Sequence, residues 1–234
     1  METLGRLCAS MARACKAAGV QIATGDTKVV NKGHGDGLYI NTSGIGLIPE
    51  GVRIGPAQAR PGDAVIVSGT MGDHGIAIMS VREGLNFQTQ IKSDTVPLHG
   101  LVAAMLEETM DIHCLRDATR GGLAAVLNEL AEASQAGIEF EESRVPLRPE
   151  VMAACEMLGL DPLFIANEGK LVAFVPEAHA DGLLEVMHSH PYGRDAALIG
   201  HVVKEHPGMV LARTSIGGTR VVDLPAGELL PRIC

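Results

Sequence analysis

Ala64-Val65-Ile66-Val67-Ser68-Gly69-Thr70-Met71-Gly72-Asp73-His74-Gly75 is the stretch on which the fold turns. Four successive apolar residues, two of them valine, are too short for a helix and fit a strand buried on both faces. The glycine-rich loop then leads into a helix predicted to run to about Glu83. Backbone N–H groups between such a strand and helix can cradle an anion. The same residues also suit a turn in which Asp73 caps the helix. The loop lacks the Gly-Lys-Ser/Thr ending of a Walker A motif, so it is not that kind of phosphate loop.

Outward from this unit the pattern alternates. Helical spacing is predicted over 95–110, 121–136, 150–158 and 177–189. Strands are predicted over 113–115, 138–140, 170–175, 196–203, 210–212 and 219–222. Upstream, Leu4, Leu7, Cys8, Met11, Ala14 and Cys15 share a helical stripe over 2–18, with Gly19 as a natural stop. Strands are expected at 20–23 and 38–47, and the Pro/Gly-rich stretch 49–62 suits a linker. The expected fold class is α+β, with mixed α/β layers in two domains, 1–58 and 59–223, followed by a tail, 224–234.

Composition narrows the function. The 234 residues are 46% hydrophobic but 3% aromatic and lack Trp, so the core must be Ala, Val, Leu, Ile and Met. Met105, Met110, Met152, Met157 and Met187 are expected as core filler, and Cys8, Cys15 and Cys155 as buried helix residues. A formal charge of −9 argues against general nucleic-acid binding, because no Lys/Arg stripe offers counterion release. No apolar stretch is long enough to span a membrane, and the start lacks a secretory pattern. Five cysteines, never spaced as Cys-x-x-Cys, fit reduced thiols in a cytoplasmic protein.

Further segments carry chemistry. Gly25-Asp26-Thr27-Lys28 follows a predicted strand: Gly25 permits close backbone approach, Asp26 can hold a divalent cation, and Lys28 can meet a phosphate. A strand-end turn with solvated charges is the alternative. Asn41-Thr42-Ser43-Gly44 adds neutral donors. In Asp117-Ala118-Thr119-Arg120-Gly121-Gly122, Asp117 or Thr119 can cap a helix, and Arg120 can fork onto a phosphate or carboxylate. Asn167-Glu168-Gly169-Lys170 sets an acid beside a base. Glu168 suits a general base or Mg²⁺ ligand, or else belongs to a surface ion pair. His188-x-His190 fits a helix end better than a metal pair. The chain ends in Leu229-Leu230-Pro231-Arg232-Ile233-Cys234, where Pro225, Gly227 and Pro231 disfavour helix or central strand. Ten extended residues reach roughly 35 Å, so a thiol at Cys234 is expected to be exposed and mobile.

In order along the chain, Gly25 to Val30, Gly69 to Gly75, Asp117 to Gly122, Asn167 to Lys170 and the final Pro-Arg-Ile-Cys resemble the carbamoyl dehydratase family of nickel–iron hydrogenase maturation, HypE. The internal motifs are shared more loosely with the aminoimidazole ribonucleotide synthetase and selenophosphate synthetase superfamily; the terminal Cys selects HypE. The resemblance implies a two-domain synthetase-like architecture. It also implies ATP-dependent dehydration of a carbamoyl group on Cys234 to a thiocyanate, the source of cyanide for the hydrogenase iron. Gly25, Asp26, Thr27, Lys28, Asn41, Asp117 and Arg120 would bind nucleotide, Asp26 and Glu168 would hold Mg²⁺, and Lys28 and Glu168 would handle protons.

The implied partners are a carbamoyltransferase, an iron-scaffold assembly complex that accepts cyanide, and a second copy of the full-length chain. The family also implies a longer N-terminal portion before position 1, leaving 1–58 as the remainder of an ATP-binding and dimerisation domain. A non-catalytic carbamoyl or cyano carrier is therefore the competing expectation. A selenophosphate synthetase, with its reactive residue near the N-terminus, is a third.

Overall fold

The protein is described by a computed structural model covering residues 2–35, 37–82, 84 and 91–224. The chain divides into two compact units, Met1–Glu50 and Gly51–Cys234.

In the first unit, helix α1, Glu2–Ala18, buries none of its residues. Cys8 is exposed and Cys15 only partly covered, against the expectation that both pack inside. The strands expected at 20–23 and 38–47 do not form among the described residues. An isolated strand leaves its N–H and C=O groups without partners, and these segments find no ladder within the unit. Val20, Ile22, Ile40 and Leu47 are all exposed.

The second unit is built on a seven-stranded sheet ordered β2-β4-β1-β5-β3-β6-β7. Its strands are β1 Asp63–Val67, β2 Cys114–Asp117, β3 Gly137–Glu141, β4 Leu171–Pro176, β5 Ala197–Val203, β6 Val210–Arg213 and β7 Thr219–Val221. Every pairing is antiparallel except β3 with β6. Strand β1 is central and wholly buried. Its side chains alternate between two cores: Val65 and Val67 join Leu123, Leu127 and Phe174 on one face, while Ala64 and Ile66 join Leu101, Met105, Leu183 and Met187 on the other. Helix α4, Gly122–Ser134, thus covers the first face, and α3, His99–Glu108, with α6, Glu177–Ser189, covers the second. Helices α2, Asp73–Arg82, and α5, Pro149–Leu158, share a smaller core of Ile76, Val151, Ala154, Cys155 and Ile165. Pro149 starts α5 and left-handed Gly159 ends it, each residue suited to its end of the helix.

Residues 51–62, expected as a linker, are fastened to this unit. The N–H of Gly55 donates to His113 O at 3.1 Å, and that of Gly62 to Val202 O at 2.8 Å. Backbone groups beside strand ends bond to them rather than to water. The methionines also divide: Met105 and Met187 are core, while Met152 and Met157 on α5 and Met110 just beyond α3 are exposed.

Candidate functional site

Asn167 is 1% exposed and holds three loops together. Its side-chain oxygen accepts from the N–H of Gly72 at 2.7 Å, and its amide nitrogen donates to Ala118 O at 2.9 Å and Ile165 O at 3.1 Å. Its own N–H donates to Ala118 O, and the N–H of Ala118 donates to Lys170 O. The glycine loop after β1, the 117–122 segment and the 167–170 turn therefore converge on one buried amide.

This convergence settles the loop chemistry. The N–H groups of Met71, Gly72 and Gly75 go to Pro146 O, Asn167 Oδ1 and Ala166 O, so those donors are not available to an anion. Asp73 starts α2, and its Oδ2 accepts from the Thr70 hydroxyl. Neither Asp117 nor Thr119 caps α4; left-handed Gly121 occupies the cap position, at φ 71°. A Cβ on the next residue, Gly122, would lie 2.5 Å from Ile165 O, so the paired glycines serve the close approach of α4 to the 163–165 turn. Asp117 accepts from Thr119 at 2.6 Å and pairs with Arg116. Burial pushes its carboxyl up, but the Thr119 hydroxyl and Arg116 outweigh that and hold it below the usual range. Arg120 is exposed and makes no hydrogen bond or ion pair among the described residues.

Glu168 is half-buried, and its carboxylate is likewise unpaired among the described residues. Lys170 is not its partner. The Lys170 ammonium lies 3.3 Å from Asp94 Oδ2, both side chains nearly buried, and Asp94 Oδ1 accepts the N–H of Glu168 at 3.0 Å.

Asp94 and Lys170 line a cavity of about 470 Å³, within the usual range for a small-molecule site; Glu168 is not part of that lining. Its ionisable lining divides evenly between the bases Lys92, Arg148, Lys170 and Arg194 and the acids Asp73, Asp94, Glu150 and Asp195. Among the described residues, Asp73 Oδ1 and Asp94 Oδ2 are buried and accept no hydrogen bond, although Arg148 Nε is 3.1 Å from the former and Lys170 Nζ 3.3 Å from the latter. Burial raises the Asp73 carboxyl above its ordinary value, against the pull of Thr70 and Arg148. Sequence reasoning missed Asp94, Arg148 and Arg194. Asp94 sits 74 residues before its backbone partner, and no local motif announces such a pair.

Gly25, Asp26, Thr27, Lys28 and Asn41 lie in the first unit and are all exposed. Asp26 Oδ1 accepts the N–H of Thr27 at 2.8 Å, and Oδ2 has no partner among the described residues. Mg²⁺ commonly takes one or two carboxylates and completes its shell with phosphate oxygens and water. One open carboxylate oxygen fits that role. A protein-only cage does not arise: no group of three or more His, Cys, Asp or Glu suited to a metal occurs among the described residues. His188 bonds Ala196 O at the end of α6, a structural role. No helix among the described residues is long and apolar enough to cross a membrane. Cys234 lies outside the described residues.

Residues 1–48 match the AIR synthase related protein N-terminal domain family, and 60–211 match the corresponding C-terminal domain family. The chain is 54% identical to carbamoyl dehydratase HypE of Azotobacter vinelandii over 234 residues, all of this chain and 69% of that protein. A crystal structure of hydrogenase maturation protein HypE in complex with ATP superimposes with a TM-score of 0.95 at 47% identity, covering 100% of this chain and 71% of that one. A HypE–HypF complex superimposes with a TM-score of 0.87 at 44% identity, covering 96% and 73%. The two-domain match, the shared fold and the identity along the whole chain lead to one conclusion: this chain belongs to the HypE family of carbamoyl dehydratases.

Proposed function

We propose that this chain dehydrates a carbamoyl group carried on Cys234 to a thiocyanate at the expense of ATP, for the cyanide ligand of a hydrogenase iron. Identity of 54% from end to end with a carbamoyl dehydratase carries this reading. The carbamoyl oxygen attacks the γ-phosphoryl group; ADP leaves and one N–H proton is lost, giving an S-bound imidoyl phosphate. Loss of the second N–H proton with departure of inorganic phosphate forms S–C≡N.

Each proton needs an acceptor near the carbamoyl nitrogen. Glu168, half-buried and unpaired among the described residues, suits that task, and Lys28 is the second candidate. Asp26 would hold Mg²⁺, with Glu168 as a further candidate ligand; bound there, the ion would supply positive charge against the nucleotide phosphates. Gly25, Thr27, Asn41, Asp117 and Arg120 complete the proposed nucleotide-binding set. The division into a nucleotide-binding portion at 1–58, an α/β domain at 59–223 and a carrier tail at 224–234 follows the same assignment.

The partner is a HypF-type carbamoyltransferase, which loads Cys234; the known HypE–HypF complex supports this choice. An iron-scaffold complex then accepts cyanide, and the protein acts in the cytoplasm as a homodimer. A specific observation favours a second reading, a carrier without catalysis: Asp26, Lys28 and Asn41 are exposed, and no strand forms in their segments among the described residues. Calorimetric titration with ATP and Mg²⁺ separates the two. Micromolar binding that weakens in Asp26→Ala and Lys28→Ala supports the dehydratase; no binding supports the carrier.

A further inference from the structure

We infer that Asp94 is a positioning residue for Glu168, setting the place of the proposed proton acceptor through its peptide N–H; this rests on the role given to Glu168 above. Asp94 holds the 167–170 turn at three successive residues. Its Oδ1 accepts the N–H of Glu168 at 3.0 Å, and its Oδ2 lies 3.3 Å from the Lys170 ammonium. Its own carbonyl oxygen lies where a Cβ on Gly169 would come within 2.0 Å, so only glycine permits this approach.

The carboxylate is itself held. The Asp94 side chain is 5% exposed, and its neighbour Ser93 bonds His74 Nδ1 at 2.9 Å and Thr95 Oγ1 at 2.7 Å. The segment around Asp94 is thus tied to α2 on one side and to the start of β4 on the other. Asn167 fixes the same turn from the opposite direction through Gly72 and Ala118. Between these anchors the Glu168 backbone has little freedom, while its carboxylate makes no bond among the described residues that would compete with a substrate proton. A proton acceptor works through its position, and an error of about 1 Å can cost about 100-fold in rate.

The test measures single-turnover water loss from carbamoylated chain, ATP affinity, and hydrogen exchange at the Glu168 amide. Asp94→Ala should slow water loss by about 10- to 100-fold and deprotect the Glu168 amide, while ATP affinity and carbamoyl loading stay within about twofold. Asp94→Asn keeps an oxygen for that N–H, so it should preserve exchange protection and recover the rate to within about fivefold of the parent. The parent chain supplies a test that needs no variant: its Glu168 amide must be protected beyond the neighbouring turn. An unprotected Glu168 amide in the parent overturns the assignment. So does a parental rate in Asp94→Ala beside an inactive Glu168→Gln. Full activity of Glu168→Gln would instead refute the proton-acceptor role and, with it, the need for an anchor.

Discussion

Replacing Asn167 by alanine removes the acceptor of the Gly72 N–H and the donor to Ala118 O and Ile165 O, all at a site 1% exposed. Water cannot reach these groups without opening the junction of three loops. An orphaned buried donor costs about 1–3 kcal/mol, and the lost carbonyl contacts and small cavity add to it, giving about 3 kcal/mol. For a chain of this size that lowers the thermal midpoint by about 6–12 °C. Urea unfolding followed by circular dichroism measures the free energy, and hydrogen exchange at the Gly72 amide localises it. Gly72 should lose protection while β1 keeps its own. A loss below about 1 kcal/mol, or unchanged exchange at Gly72, would refute the account of Asn167 as the point where the loops join.

Three further outcomes follow from the same structure. A Cβ on Gly200 would lie 2.1 Å from Glu139 O and 2.6 Å from the Phe140 Cβ, so Gly200→Ala should cost about 3 kcal/mol or prevent folding; an unchanged urea midpoint would contradict the β3–β5 register. Burial pushes the Cys114 and Cys155 thiols up to about 11, whereas Cys8 is exposed. Iodoacetamide at neutral pH should therefore modify Cys8 and spare the other two in the folded chain, as peptide mapping will show. The Asp117 carboxyl is held below its ordinary 3.8, so its contribution is full above that value and is lost as pH falls through the lowered one. Thr119→Ala should thus be less stable than the parent at pH 7, with the gap closing toward pH 3. A gap that stays constant or widens in acid would show that Thr119 acts some other way.

Local pattern made the second unit legible. Its strands are short apolar runs bounded by turns, and its helices carry 3.6-residue stripes, so predicted and observed elements agree to within a few residues. The exception is α3, which begins at His99 rather than at 95, because Asp94 is bonded to the Glu168 N–H and the N–H of Thr95 to the Ser93 hydroxyl. In the first unit the same apolar signal at 20–23 and 38–47 forms no strand, because strand identity depends on a neighbour and not on the segment alone. The site was legible as motifs and illegible as geometry. Glu168 stood out beside Lys170, yet Lys170 turned to Asp94, a residue in no motif. In the sequence the glycines at 121 and 122 suit close backbone packing or ligand approach alike; in the structure Gly121 admits Ala125, and Gly122 the carbonyls of the 163–165 turn, which lie some forty residues away.

The most direct test of the central claim is mass spectrometry of the C-terminal peptide after incubation with a HypF-type carbamoyltransferase, carbamoyl phosphate and ATP. The account predicts a carbamoyl adduct on Cys234, then ATP-dependent loss of one water, with neither event in Cys234→Ala. An adduct that never loses water would contradict catalysis by this chain and leave it a carrier. Absence of any adduct on Cys234 would contradict the account as a whole.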